Sequence, residues 1–384
     1  MRAVLVLATV ACAACATATQ GPDALVNQLA SGQVSAESRV DSSGIDRMPP
    51  YQALDYLAIC TLGNCPDAAD RIERALTKRY ADQYTESVSS DAARMSLVEG
   101  VGRYHLSRTE YGAVRLLALL GHLNDDMLGP ESRRIALDIE FARARNDTVA
   151  VAALAPAAWL AGRAASRADA DLARVLRLQA DSAGVTTSSS GLSEGVLVVL
   201  VVDLVPALEQ RATDVTWADN SGVVHSLRVA APFIPLIQAA PGSCSVESHG
   251  ESVPLDLIAD FAGLRTRELN ADLPSIAARS LLRSAGHAAA SDQLGRSVAG
   301  PQSIGLRSLI NLTSKSLDRA DLRGPTMMPR LLYAGVVSDP IDAVVRCPDW
   351  LGDRALPSSG ASDARVIYSI RTALGSVASG IVSR

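Results

Sequence analysis

The chain is 384 residues long, 48% apolar, 4% aromatic and 20% charged, with a formal net charge of −5. That length is ample for a sizeable core and suggests two or three domains. No region has the dense basic charge of a nucleic-acid surface, and the acidic balance disfavours broad adhesion to anionic lipid, so both partner classes are set aside.

Residues 1–18 read as a lipoprotein-type signal peptide. Met1 and Arg2 give a short basic start, and Ala3 to Ala14 is apolar but for Thr9. A run of about twelve residues is too short for a bilayer, which needs roughly 20, and suits the apolar core of a signal. Cys12 and Cys15 precede the small residues Ala16, Thr17 and Ala18. The segment resembles a bacterial lipoprotein signal, which implies Cys12 or Cys15 as the lipid-carrying cysteine. Ordinary cleavage after Ala18, giving a soluble periplasmic or secreted protein, is the alternative.

Residues 22–184 read as a helical repeat-like domain. Helical spacing recurs over Tyr51 to Ile59, Pro66 to Tyr80, Asp91 to Leu106, Tyr111 to Leu123, Glu131 to Ala144, Thr148 to Ala161 and Asp169 to Ala183. Short turns between helices of this length predict stacked antiparallel hairpins resembling tetratricopeptide repeats, with small alanines at the crossings. Residues 185–194 are small and polar, a linker by composition.

Residues 195–384 change character. Val196 to Val202 is a continuous apolar run, the mark of a buried strand. Thr213 to Trp217 and Val223 to Val229 follow as strands, with a hairpin turn at Asn220 to Gly222. Phe233 to Ile237 is a further strand, and Pro232 just before it and Pro235 within it predict a sheet edge. Helices are expected over Leu255 to Glu268, Pro274 to Leu294 and Ser303 to Leu317, then strands over Arg330 to Val337, Ile341 to Arg346 and Arg365 to Arg371. The predicted class is α+β: a tetratricopeptide-like helical hairpin array, then a β-rich, sandwich-like domain with a helical insertion at about 255–318.

Four further cysteines are disulfide candidates in an exported chain. Cys60 and Cys65 flank a turn and would staple a helical hairpin, while Cys244 and Cys347 would join distant β segments. The five histidines are scattered, so no metal site is expected. Gly191, Ser193 and Gly195 spell a G-x-S-x-G elbow, but a linker precedes the serine and a strand follows, the reverse of what that motif needs. Asp125 and Asp126 read as a solvated turn. Trp159, Trp217 and Trp350 are too dispersed for an evident carbohydrate platform.

Arg279, Arg283 and His287 fall at i, i+4 and i+8, on one helix face. They form either an anion site or structural pairs with Asp318 and Asp321, and the structural reading is preferred.

Three segments resemble one family: Gly195 to Pro206, Leu273 to Arg283, and Ala320-Asp321-Leu322-Arg323 with Met328 and Pro329. The family is that of uncharacterised bacterial outer-membrane lipoproteins pairing tetratricopeptide-like helices with a C-terminal β-containing domain. Pro325 and His287 depart from its pattern, standing where tryptophan and lysine are usual. The resemblance implies an anchor on the periplasmic side of the outer membrane and a link to envelope assembly.

The resulting expectation is a non-enzymatic, lipid-anchored periplasmic scaffold or adaptor of the cell envelope. It would bind a protein partner through its helices, touch membrane by its lipid only, and use no cofactor or metal. A glycan- or peptide-binding module in the C-terminal domain is the alternative, and a periplasmic hydrolase the remote one.

Overall fold

The structure is a computed structural model. It describes residues 45, 47–63, 65–83, 104–123, 125–165, 169–185, 195–220, 222–235, 244–248, 251–296, 302–314, 322–338, 343–347, 351–355, 364–371 and 377–382. The signal segment, Cys12 and Cys15, the 185–194 linker beyond Val185 and most of the helix expected over Asp91 to Leu106 lie outside the described residues.

Among the described residues six helices come first: α1 (Pro50–Leu62), α2 (Pro66–Asp82), α3 (Arg108–Gly121), α4 (Leu128–Ala144), α5 (Thr148–Ala164) and α6 (Ala170–Ser182). Their starts follow local chemistry. Pro50 and Pro66 occupy first-turn positions of α1 and α2, where a missing N–H costs nothing. Ser107 and Glu110 form a reciprocal capping box at α3. Asp147 and Asp169 cap α5 and α6 by accepting from the N–H of Ala150 and Leu172.

Consecutive helices pack on one another, and α3 also touches α1 and α5. Every residue of α3 from Thr109 to Gly121 is buried, so it is the axis of the helical half. Close approach there depends on small residues, because a Cβ added to Gly112 would overlap the backbone of Ala153 on α5.

The second half contains β1 (Val196–Leu204), β2 (Glu209–Ala218), β3 (Val224–Phe233), β4 (Cys244–Ser248), β5 (Glu251–Asp260), α7 (Phe261–Arg296), α8 (Gln302–Ser314), β6 (Pro329–Val337), β7 (Val344–Cys347), β8 (Leu351–Ala355), β9 (Ala364–Arg371) and β10 (Val377–Val382). The protein is therefore α+β. Eight strands form one mixed sheet in the order β10-β9-β1-β6-β5-β4-β7-β8, and β2–β3 form a separate ribbon. β1 runs parallel to β9 and antiparallel to β6.

The apolar run of β1 is explained by burial on both faces. Leu197, Val199 and Val201 join the core of the helices. Val198, Leu200 and Val202 face a second core with Val246, Val345, Tyr333 and the Cys244–Cys347 disulfide. Strands of a single sheet thus meet across its concave side, and the expected sandwich takes the form of one curled sheet. The helical half and the sheet's other face share a continuous core.

The structure corrects several expected boundaries. Leu255 to Asp260 belongs to β5, not to a helix. A register irregularity between Leu257 and Ala259 places Ile258 and Ala259 both in the core. That bulge breaks strand alternation and mimics helical spacing. α7 continues through Pro274 instead of starting there. A mid-helix proline costs ~3 kcal/mol, and the buried Phe261, Ala262, Leu264, Leu269 and Ile276 hold the helix on both sides of it.

Cys60 and Cys65 are also a correction: both are buried free thiols, not a bridge. The α1–α2 turn is closed by backbone instead, Cys65 N–H donating to Cys60 C=O at 2.9 Å. Burial, with Cys65 beside it, pushes the Cys60 thiol well above its ordinary range, so the pair behaves as apolar core. No helix among the described residues is long and apolar enough to cross a membrane.

Candidate functional site

A cleft of about 620 Å³ opens where α1, α2 and two loop segments converge. Arg79, in the last turn of α2, donates to the carbonyls of Met48 at 2.5 Å and Ile45 at 2.9 Å. This ties the lead-in of α1 to the end of α2. Gln83 reaches the opposite wall, its Nε2 donating to Leu106 C=O at 3.0 Å and its Oε1 lying 3.1 Å from His105 Nδ1. Tyr51 and Tyr104 meet edge to face at 5.1 Å, and the Arg323 guanidinium lies over the Tyr104 ring at 5.6 Å.

The lining is cationic in a chain that is anionic overall. Among the described residues, Arg47, Lys78, Arg79 and Arg323 face the cleft together with His105 and one carboxylate, Asp82. Arg47 and Lys78 are solvent-exposed. Met48, Pro49, Pro50, Tyr51 and Leu106 supply an apolar wall. The start of α1 has neither an acidic residue in its first turn nor a side-chain cap, so its dipole adds to the positive field. An anionic group with an apolar or ring-bearing neighbour is the chemistry that such a lining complements.

The cleft walls are fixed from behind by buried carboxylates that cross between the halves. Tyr104 Oη donates to Glu110 Oε1 at 2.6 Å. Arg265 of α7 lies 3.4 Å from Glu110 and 3.1 Å from Glu268. Glu268 in turn accepts from the N–H groups of Arg108 at 2.8 Å and Thr109 at 3.2 Å, the start of α3. Burial opposes the Arg265 charge, but Glu110 and Glu268 more than offset it, so its pKa is held above the ordinary arginine range.

On the other side, Asp55 of α1 accepts from Thr326 N–H at 2.6 Å, Thr326 Oγ1 at 2.9 Å and Met327 N–H at 2.6 Å. Burial pushes the Asp55 carboxyl up to about 7, with these hydrogen bonds opposing the rise. Thr326 follows Arg323 by one turn's length of chain, so this contact also positions a cleft residue.

A second ionic cluster lies inside the helical half. Arg115 reaches Glu73 at 2.5 Å, Glu131 at 3.3 Å and Asp138 at 2.6 Å. Tyr111 Oη donates to Asp138 at 2.9 Å. Burial raises the Glu131 pKa, Arg115 pulls it down and Glu73 adds to the rise. With Arg115 only 3% exposed at its side chain, this cluster joins α2, α3 and α4.

The residues singled out in the sequence are dispersed. Arg323 lines the cleft. Arg279 lies on α7, its Nε donating to Ser275 C=O at 3.3 Å one turn back, and its charge favours ionised Asp272. It stands fourteen residues beyond Arg265, a rise of about 21 Å along a helix, and meets the Arg265–Glu268 group through Asp272, whose carboxyl feels Glu268, Arg108, Arg265 and Arg279. Arg283 and His287 follow on α7, their side chains outside the described residues, as are Asp318 and Asp321. Cys244 and Cys347 are bonded across a sequence separation of 103. Among the described residues no group of three or more His, Cys, Asp or Glu could hold a metal ion.

Sequence reasoning missed Arg47, Lys78, Arg79, Tyr104 and the carboxylates behind them. They come from four separate stretches, and none stands in a recognisable motif. No protein-family model matches the chain, and no curated protein or solved structure matches it either.

Proposed function

We propose that this protein is a non-enzymatic, lipid-anchored scaffold or adaptor of the bacterial cell envelope that binds a protein partner at its helical half. The cationic cleft is the observation that carries this reading. It is an opening of about 620 Å³, within the ~300–1,000 Å³ span of binding pockets. It is walled by aromatic and basic side chains, the types most used in protein recognition. The signal-like start with Cys12 and Cys15, and the resemblance of residues 195–340 to outer-membrane lipoproteins, support export and anchoring.

Photo-crosslinking in cells tests the reading. A photoreactive residue in place of Lys78 should trap a discrete protein partner, and the same group in place of Glu247, on β4, should not. Equal labelling at both positions, or none at Lys78, overturns it. Mass spectrometry of the mature N-terminus should find a lipid-modified cysteine, and an unmodified start after Ala18 overturns the anchor.

A further inference from the structure

The partner's chemistry follows from the cleft lining, and this step rests on the adaptor reading. We infer that the cleft takes an acidic peptide segment, with carboxylates set against the exposed Arg47 and Lys78 and backbone or ring surface laid on the Pro49–Pro50–Tyr51 wall. Three observations converge on this class.

First, the charge contrast is local: among the described residues of the lining, four basic side chains stand with one carboxylate, Asp82, on a chain of net charge −5. Long-range attraction of an acidic segment is therefore directed to this opening. Second, the charges come from different directions. Arg47 precedes α1, Lys78 and Arg79 end α2, and Arg323 arrives from the segment leading to β6. That spread matches several carboxylates along a chain better than one compact anion. Third, the apolar wall of prolines and Tyr51, with Tyr104 set edge-on to it, offers contact area that a bare phosphate cannot use. Arg79 is held by two backbone carbonyls and is a fixed part of the wall.

The test uses the purified mature chain and a short fluorescein-labelled glutamate peptide containing one tyrosine, read by anisotropy. Binding should saturate, fall with added salt, and weaken about tenfold, ~1.4 kcal/mol, in the Arg47→Glu plus Lys78→Glu variant. Both residues are exposed, and circular dichroism should confirm an unchanged fold. The matching lysine peptide should not bind. Displacement of the peptide by inorganic phosphate at equal concentration overturns the peptide class and leaves a simple anion site. Absence of binding, or binding indifferent to the double variant, overturns the inference itself. Crosslinking at Lys78 reports any protein neighbour whatever its charge, so the adaptor reading can stand or fall separately.

Discussion

Asp55 on α1 and Thr326, 271 residues later in the chain, are joined through the Thr326 backbone N–H and hydroxyl, at 2.6 and 2.9 Å. A buried carboxylate from the helical half thereby organises the loop that enters β6. Glu268 does the reverse, reaching from α7 to the open N–H groups of α3. These two reciprocal contacts hold the halves together on either side of the Tyr104 wall, and several testable consequences come from them.

The Asp55 contact makes stability depend on pH. Its pKa is about 7 in the folded protein against 3.8 for the free group, so the native state holds a proton that the unfolded chain releases. This contribution is fully present below pH ~4 and is lost as pH rises through about 7, on the order of 4 kcal/mol. When protonated, Oδ2 can donate to Thr326 Oγ1 while Oδ1 still accepts both N–H groups. Asp55→Asn preserves that pattern without charge. Urea unfolding should therefore show Asp55→Asn more stable than the parent at pH 8, with the advantage shrinking steadily as pH falls and vanishing near pH 4. Asp55→Ala should lose roughly 2–4 kcal/mol at pH 5 by leaving two buried N–H groups unpaired.

Glu268→Ala removes the acceptor from the start of α3 and leaves Arg265, 12% exposed at its side chain, with Glu110 as its remaining close partner. A loss of roughly 3–5 kcal/mol is expected, with Glu268→Gln costing less because an acceptor remains. Thermal melts of the two variants compare them directly.

Arg115→Met should destabilise as well, though by less, because Glu73 and Glu131 lose their buried cation and keep only the half-exposed Arg134, at 3.9 and 3.4 Å. The deficit should shrink as pH falls, because burial raises the Glu131 pKa and removing Arg115 takes away the charge that opposes the rise. Adding Glu73→Gln and Glu131→Gln should restore much of the stability at neutral pH. Unfolding curves at pH 5 and 8 would show both effects.

Gly112→Ala should cost more than a typical glycine-to-alanine change in a helix, which is favourable by about 1 kcal/mol. The new methyl meets the Ala153 backbone, so α3 and α5 must separate. A lowered melting temperature checks this, and an increase would contradict the packing.

Reducing the Cys244–Cys347 bond releases a loop spanning 103 residues, worth about 4–5 kcal/mol in the chain-entropy description. Cys244→Ala with Cys347→Ala should melt well below the parent under oxidising conditions and match it in reductant.

Local patterning made much of this protein legible. The run from Val196 to Val202 announced a strand buried on both faces, and Asn220 to Gly222 announced the β2–β3 turn, whose Gly222 adopts φ 80°. Pro50, Pro66 and the helical spacing after each marked α1 and α2. These features are encoded by neighbours in sequence, where backbone preference and period act directly. β5 and α7 were misplaced because a bulge at Leu257 to Ala259 imitates helical spacing, and because core contacts carry a helix through Pro274.

Composition also determined the overall acidity. Only tertiary structure decided where the basic charge gathers. Arg47, Lys78 and Arg323 are neighbours because Arg79 ties the lead-in of α1 to α2 and Asp55 draws the 326–327 backbone onto α1. Charges from stretches so far apart leave no period or motif to read, and burial of a few polar anchors is what brings them to one opening.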